Sequence, residues 1–526
     1  MSEAAHPGGG LAATVSLSLI SHTNVGKTTL ARTLLGRDIG EVRDEAHVTD
    51  RAEAHVLVES PAGDRLLLWD TPGFGDSQRL ARRLEQAGKP IGWFMSEVWD
   101  RFRDRGFWSS QRALRNVLDQ ADVVLYLVNA SEAPEDAAYL DAELKVLALI
   151  GKPVVALLNQ LGPAGADQAQ GALDGGTLDQ RWQQRLQAHA GVRAVLPLDA
   201  FNRCWVQEGR LWAAVAELLA ADQRDGFERL QNAWQQRQQA NWQAAMDELA
   251  RRLTRAALDH EPVAGEGWLG PVRSLGRSIG QGLGKVLGSA AAAIDGAPGS
   301  PQHQAMTTLA ERLDQDVRLS TDALIRLHGL DGHAGQALLA RLARHYATRA
   351  PIDEGRAALW GGMVSGALAG LKADLATGGL TLGGGLLAGG VLGALTAAGT
   401  AHGVNRIRGL DQPLVAWDER VLNALLSAAL LGYLAVAHHG RGRGAWVQQD
   451  PPSAWTEAVA GVVAEHQDAI DELWPLRQRA LTGRAFGAAD QTPLQNLLQG
   501  LLCELSAELL ARLYPDAPPI QHAARG

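Results

Sequence analysis

Apolar positions follow two rhythms along this chain. Up to about residue 220 they fall in short runs, at 15–20, 54–60, 65–70, 123–129, 154–159 and 194–198, with helical spacing between them, as over 136–149. Short strands alternating with helices imply a mostly parallel sheet wound right-handedly. Such a sheet binds ligands at the carboxyl ends of its strands, where the loops after Ile20, Leu68 and Leu158 meet. From about 222 to 350 the chain reads as helix. Leu230 with Trp234, and Trp242 with Met246 and Leu249, lie at spacings that share a helix face and imply packing. Glycine-rich sequence at 265–299 interrupts this pattern. Two uncharged segments follow, 357–371 and 375–401, separated only by Lys372-Ala-Asp374. A further apolar stretch, 421–437, ends at His438-His-Gly-Arg-Gly-Arg-Gly444. The expected organisation is a disordered start (1–13), an α/β domain (14–220), a helical region with a glycine-rich insert (221–350), a helical domain with a Gly/Ala-rich apolar hairpin (351–514) and a flexible tail (515–526).

A length of 526 residues suits two or three domains. The net charge of -9, with no long run of one sign, argues against a nucleic-acid protein that works through a broad basic surface. Two distant cysteines, Cys204 and Cys503, imply a reducing cytoplasm and no disulfide framework. The first ten residues have neither a basic nor an apolar region of the kind that marks secretion.

The first strand-like run leads into Ser21-His-Thr-Asn-Val-Gly-Lys-Thr-Thr-Leu30, one residue away from the phosphate-binding pattern G-x-x-x-x-G-K-[ST]. Such a loop needs inward backbone N–H groups, a lysine for the β- and γ-phosphates and a hydroxyl for magnesium. Asn24, Val25, Gly26, Lys27, Thr28 and Thr29 are the candidate nucleotide-binding residues, and 29–35 can form the helix whose N-terminus faces the anion. Ser21 replaces a glycine, a loss expected to be tolerated because the catalytic end of the loop is intact. Downstream, Leu66-Leu-Leu-Trp-Asp70-Thr-Pro-Gly73 is a strand ending in an aspartate and a glycine turn. Asp70 suits the magnesium shell and the Gly73 N–H suits the γ-phosphate. In the loop between, Thr49 can supply a second magnesium hydroxyl. Lys27, Thr49 and Gly73 are the catalytic candidates, and Thr28, Thr49 and Asp70 the magnesium candidates. Taken alone, these residues support a nucleoside triphosphate with Mg2+.

Asn24-Val-Gly-Lys-Thr, Asp70-Thr-Pro-Gly and Gly151-Lys-Pro-Val-Val-Ala-Leu-Leu-Asn159 together resemble the TrmE–Era group of small GTPases. That group carries G-x-P-N-x-G-K-[ST], T-T-R, D-T-P-G and N-K-x-D. The resemblance covers roughly residues 14–200 and implies an α/β P-loop GTPase domain that binds and hydrolyses GTP with Mg2+. It also implies that Asn159 serves the base side of the nucleotide and that Asn24 helps to hold an activating K+. Phe74 stands where a Ras-like enzyme has its water-orienting glutamine, a replacement the group shares, so no catalytic role attaches to it.

Two departures matter. The first switch reads Val-Thr-Asp-Arg rather than T-T-R-D, and the base motif reads Asn159-Gln-Leu-Gly162, without the aspartate that accepts both guanine N–H donors. A carboxylate accepting two hydrogen bonds is a strong discriminator. Its loss should weaken guanine preference by one or more powers of ten, at roughly 1–3 kcal/mol per charged hydrogen bond. Asp167 is close by but off the motif's spacing, and GTP against ATP stays open.

Leu375-Ala-Thr-Gly-Gly-Leu-Thr-Leu-Gly-Gly-Gly385, with Leu434-Ala-Val-Ala-His-His-Gly-Arg-Gly-Arg-Gly444, resembles a bacterial family in which such a GTPase domain precedes a C-terminal domain of unknown function. As a helix, 375–401 would be about 40 Å long, enough for the ~30 Å hydrocarbon core, whereas 357–371 would reach only about 22 Å. Glycines at Gly383, Gly384, Gly385, Gly389 and Gly390 lower helix propensity yet permit close helix contact. Two readings follow: insertion in or docking on a membrane, or a buried hairpin in a soluble core. Arg441 and Arg443 could meet acidic lipid heads at roughly 1 kcal/mol each. His438 and His439 point apart on a helix, which favours a capping or surface role over metal binding. The insertion from Asp76 to Gln120, with Trp93, Phe94, Trp99, Phe102, Phe107 and Trp108, reads either as a helical hairpin or as a surface controlled by the γ-phosphate.

The expected function is a cytoplasmic GTP-hydrolysing switch whose helical C-terminal half engages the inner face of the cell membrane or a membrane protein, with an oligomer as one arrangement. The alternatives are a dynamin-like remodeller that self-assembles on lipid, an Era-like RNA or ribosome assembly factor, against which the acidic composition counts, and a degenerate nucleotide-binding interaction protein, against which Lys27, Thr28 and Asp70 count.

Overall fold

The structure, a computed structural model, describes residues 12–36, 53–74, 77–86, 105–161, 178–200, 204–262, 301–330, 414–417, 419–439, 453–482 and 488–520. The N-terminal part is a six-stranded sheet in the order β2-β3-β1-β4-β5-β6. Its strands are β1 (Thr14–Ser21), β2 (Glu53–Glu59), β3 (Arg65–Asp70), β4 (Val123–Asn129), β5 (Val154–Asn159) and β6 (Val192–Pro197). Only the β2–β3 pair is antiparallel. β4 and β5 are apolar almost throughout because helices cover both faces of the sheet, so neither face calls for polar side chains. The expected α/β architecture is present, and three strands begin and end where the sequence pattern places them.

One face of the sheet is covered by α1 (Lys27–Leu35), α6 (Trp205–Leu218) and the start of α7 (Ala221–Leu258), which bury Leu30, Leu211, Trp212 and Phe227. The other is covered by α2 (Ser77–Gln86), α3 (Arg105–Gln120), α4 (Leu140–Ile150) and α5 (Leu178–Gln187), which bury Leu80, Leu114, Leu147 and Trp182. Helix α4 ends at Gly151, whose φ of 76° gives the left-handed closing turn.

A separate helical core is built by the second half of α7 with α8 (Pro301–Leu327), α9 (Glu419–Ala437), α10 (Ser453–Glu465), α11 (Gln467–Thr482) and α12 (Ala488–Leu513). Helix α7 has 38 residues and is about 57 Å long. Phe227, Leu230 and Trp234 belong to the sheet's core, while Trp242, Met246 and Leu249 belong to the helical core. The two apolar groups expected to share a helix face therefore serve two different cores, and the expected boundary at 220 falls just before a helix shared by both. A short ribbon of β7 (His260–Pro262) and β8 (Leu414–Ala416) follows α7, with Arg312 donating to Asp259 and Glu261 beside it.

The apolar stretch 421–437 is a core helix, with Leu422, Leu426, Leu430 and Tyr433 fully buried. Two expectations are revised. Of the capping or surface role expected for His438, the surface half is revised and the capping half is kept: it is buried, its Nδ1 lies 2.7 Å from the Leu434 carbonyl at the end of α9, and its ring packs on Trp455 and Tyr514. The first part of the expected tail is docked, with Asp516 3.4 Å from Arg210, Pro518 against Gly209 and Ile520 packed on the helical core. Segments 265–299, 357–371 and 375–401, the residues Arg441 and Arg443, and Trp93, Phe94, Trp99 and Phe102 of the aromatic insertion lie outside the described residues. Among the described residues no helix is long and apolar enough to cross a membrane.

Candidate functional site

At the carboxyl edge of the sheet, β1 passes into the loop 22–26 and then into α1. The loop turns at two left-handed residues, Asn24 (φ 64°) and Gly26 (φ 96°). Asparagine tolerates that conformation, and at Gly26 an added Cβ would also come within 3.0 Å of the Asn159 amide. Ser21, where the motif has its first glycine, is not in the left-handed region. The replacement therefore carries no backbone penalty. Instead Ser21 contributes a contact: its buried hydroxyl accepts a hydrogen bond from Lys27 Nζ at 3.1 Å and donates to the His22 carbonyl.

Lys27, Thr28 and Asp70 converge as expected. Thr28 Oγ1 donates to Asp70 Oδ2 at 2.7 Å. Asp70 closes β3, which runs parallel to β1 with Leu19 beside Asp70, so the strand register itself delivers the carboxylate to the loop. Burial lowers the pKa of the Lys27 ammonium, opposed by the charges of Asp70 and Glu143. Burial raises that of the Asp70 carboxyl, opposed by the Thr28 hydrogen bond and the Lys27 charge.

The second Asp70 oxygen, Oδ1, is buried and accepts no hydrogen bond from any described residue. A buried carboxylate oxygen left over beside a threonine hydroxyl fits a hard divalent cation or its bound water. Magnesium therefore suits this donor set, held by Thr28 and Asp70.

Gly73 follows Asp70 and lies against the lysine: a Cβ there would come within 2.9 Å of Lys27 Nζ and 3.2 Å of Thr23 Cα. Next to it, the Phe74 N–H donates to the Ser21 carbonyl at 2.9 Å, and the fully buried Phe74 ring fills the sheet's core. On the base side, Asn159 Nδ2 donates to the Val25 carbonyl and Asn159 Oδ1 accepts from the Ala200 N–H, both at 2.8 Å. This asparagine thus ties the phosphate loop to the turn after β6. Val25 and Thr29 are buried, whereas Asn24 is exposed. Thr49 and Asp167 lie outside the described residues.

Sequence reasoning missed a pair behind the loop, a partly exposed histidine on a buried glutamate. His22 Nδ1 lies 2.7 Å from Glu143 Oε1, and the Tyr126 hydroxyl donates to Glu143 Oε2 at 2.8 Å. The His22 ring stacks on Tyr139 at 4.3 Å. Glu143 sits on the buried side of α4 with no flanking motif, so nothing local marks it.

Residues 16–160 match the family described as 50S ribosome-binding GTPase, and residues 183–494 match a domain of unknown function (DUF3482). No curated protein matches the chain. Among solved structures it is similar to Era in complex with magnesium, GDPNP and a stretch of 16S ribosomal RNA, at 18% identity, covering 36% of this chain and 51% of that one with a TM-score of 0.26. It is also similar to a variant of Era from Aquifex aeolicus bound to GDP and aluminium fluoride, at 20% identity, covering 40% and 57% with a TM-score of 0.27. The chain thus spans only about half the length of these Era chains. Its N-terminal part is a P-loop GTPase domain, and since the second match takes in more than half of the sequence, the chain belongs to the DUF3482 family of unknown function.

Proposed function

We propose that this protein binds GTP with magnesium, hydrolyses it, and uses the difference between nucleotide states to act through its helical C-terminal half. The observation that carries this reading is the Thr28–Asp70 contact at 2.7 Å, beside a buried carboxylate oxygen that accepts no hydrogen bond from the described residues and the Lys27 ammonium. Lys27 and the N–H groups of residues 24–29 take the phosphates, Thr28, Asp70 and Thr49 hold the magnesium, and the Gly73 N–H answers to the γ-phosphate. Bound magnesium would neutralise charge on the phosphate oxygens. Asn24 is proposed for an activating potassium ion. The match to a GTPase family supports the guanine nucleotide and its hydrolysis.

The test is titration of the full-length protein with GTP, GDP and ATP, with and without magnesium, alongside phosphate release. Lys27→Ala should abolish turnover, and unchanged turnover would end the enzyme reading.

For the C-terminal half we propose work at the inner face of the cell membrane. The support is the uncharged sequence at 357–371 and 375–401. Cell fractionation followed by a carbonate wash separates insertion from docking and from neither. A second reading, action on the ribosome, is favoured by the description of the matched GTPase family and is tested by co-sedimentation with ribosomal subunits.

A further inference from the structure

The pair behind the phosphate loop joins three parts of the site. Glu143 is fully buried in the first turn of α4 and accepts at both oxygens, from the Tyr126 hydroxyl at 2.8 Å and from His22 Nδ1 at 2.7 Å. That arrangement keeps the ring proton on Nδ1. Burial and the Glu143 charge raise the pKa of the Tyr126 hydroxyl, so it stays a donor. Stacking on Tyr139 at 4.3 Å fixes the plane of the His22 ring. The backbone of His22 meets the segment after β3: it forms a parallel bridge with Phe74, whose N–H donates to the Ser21 carbonyl at 2.9 Å. The Lys27 ammonium reaches the same place, donating to Ser21 Oγ, which itself donates to the His22 carbonyl. Gly73, just before Phe74, lies so close that an added Cβ would stand 3.2 Å from Thr23 Cα. A buried carboxylate adds little stability over an apolar residue of similar volume. What these bonds fix is the position of the His22 peptide against α4.

We infer that His22 and Glu143 are positioning residues for GTP hydrolysis, which hold the Gly73 turn in register with the phosphate loop through the His22 peptide. The inference rests on the nucleotide reading above and adds to it the groups that set its γ-phosphate contact. Neither side chain takes phosphate or magnesium in that reading. Lys27, Thr28 and the loop N–H groups grip the β-phosphate and its cation without help from the imidazole. The Gly73 N–H depends on it, because the next residue, Phe74, is bonded to the backbone that His22 continues. Losing the anchor should therefore slow the step that needs the γ-phosphate and spare the binding of a nucleotide that lacks it. A misplacement of about 1 Å at such a group can cost roughly a hundredfold in rate.

The experiment measures single-turnover GTP hydrolysis and the GDP dissociation constant of the full-length protein, in the wild type, His22→Ala, His22→Asn and His22→Gln, with urea midpoints in parallel. An asparagine carries its amide nitrogen where the imidazole has Nδ1, and a glutamine carries it where the imidazole has Nε2. His22→Ala and His22→Gln should hydrolyse GTP roughly ten- to a hundredfold more slowly, His22→Asn should stay close to wild type, and all three should bind GDP as the wild type does. Should His22→Ala fail to fold, the comparison of asparagine with glutamine decides alone. Glu143→Gln should slow hydrolysis in the wild type and add little to His22→Gln, since the two residues act as one unit. Equal rates in His22→Asn and His22→Gln would overturn the inference, as would additive losses in the double variant. So would a GDP affinity that falls in proportion to the rate, which marks a residue that only shapes the loop. A wild type that binds GDP yet releases no phosphate from GTP would refute the hydrolysis reading itself, and this inference with it.

Discussion

The Arg229 guanidinium grips both oxygens of Asp64, with Nε and Nη2 each 2.7 Å from the carboxylate. Asp64 is fully buried in the turn between β2 and β3 and also accepts from the Ala13 N–H at 2.9 Å and the Ser60 hydroxyl at 2.6 Å. Arg229 lies in the first half of α7, and the second half of that helix is core to the C-terminal bundle. The β2–β3 hairpin joins the loop that carries Thr49 to the strand that delivers Asp70. The contact therefore fastens the bundle's longest helix to the hairpin between the two segments expected to sense the nucleotide.

Asp64 should make the fold sensitive to acid. Its donors, the Arg229 guanidinium first, hold its carboxyl well below the usual carboxylate range against the opposing effect of burial. A pKa depressed in the folded state adds stability above the unfolded value near 4, and that stability fades as pH falls toward the folded value. Asp64→Asn should lower the urea midpoint at pH 7 and flatten its dependence below about pH 5. The loss at neutral pH should be about 2 kcal/mol, the scale of a charged hydrogen-bond set whose arginine is half exposed. An unchanged acid limb would mean that another carboxylate dominates there.

Gly226 sets a second constraint on the same contact. A Cβ built on it would stand 2.3 Å from the Cβ of Ala13, closer than any real contact. On helix propensity alone, Gly226→Ala should stabilise by about 1 kcal/mol. The clash with the strand leading into β1 should outweigh this, because overpacking typically costs about 1–3 kcal/mol and neither partner is a flexible side-chain end. We expect a net loss in chemical denaturation. A gain would show that the helix can lift from the sheet at little cost.

The sheet was legible from sequence because its strands are short apolar runs of fixed length, and three of six begin and end where the pattern puts them. Lys27, Thr28 and Asp70 were legible because a motif fixes their spacing along the chain and the parallel register of β1 with β3 closes the distance. The role of Ser21 was not, since a motif marks a missing glycine but not the hydroxyl gained in its place. The sharing of α7 between two cores was also hidden. Leu230 and Trp242 both read as apolar helix positions, and only tertiary packing sends them to different partners.

The shared helix decides where the chain can be cut. A fragment ending at 220 loses Phe227, Leu230 and Trp234, each at most 5% exposed in the sheet's core. At roughly 1.5–3 kcal/mol for each large apolar side chain, the deficit approaches the whole stability of an ordinary domain. Such a fragment should be insoluble or melt without cooperativity, whereas one ending at 238 should fold. Equal circular-dichroism melts for the two would show that the first half of α7 is dispensable.

Restoring the motif at position 21 should not help. Because Ser21 already lies outside the left-handed region, Ser21→Gly relieves no strain. It removes the acceptor of a buried ammonium and adds backbone freedom to the unfolded chain. We expect about 1–2 kcal/mol less stability in the nucleotide-free protein and no gain in GDP affinity. Tighter GDP binding by the glycine variant would show that the serine obstructs the site.

Magnesium dependence should follow the spare Asp70 oxygen. With GTP at a hundred times its dissociation constant, ligand binding should stabilise the folded protein by about 2.7 kcal/mol, visible as a rise in Tm. Chelating magnesium should reduce that rise, since the β- and γ-phosphates would then face Asp70 without a cation between them. Asp70→Asn keeps the side chain's size and an acceptor for Thr28 Oγ1, but presents a neutral amide where the buried Oδ1 stands. In that variant the Tm with GTP should be nearly the same with and without magnesium. Should it keep the full magnesium-dependent rise, the ion is held by other groups and the pairing of Thr28 with Asp70 only shapes the loop.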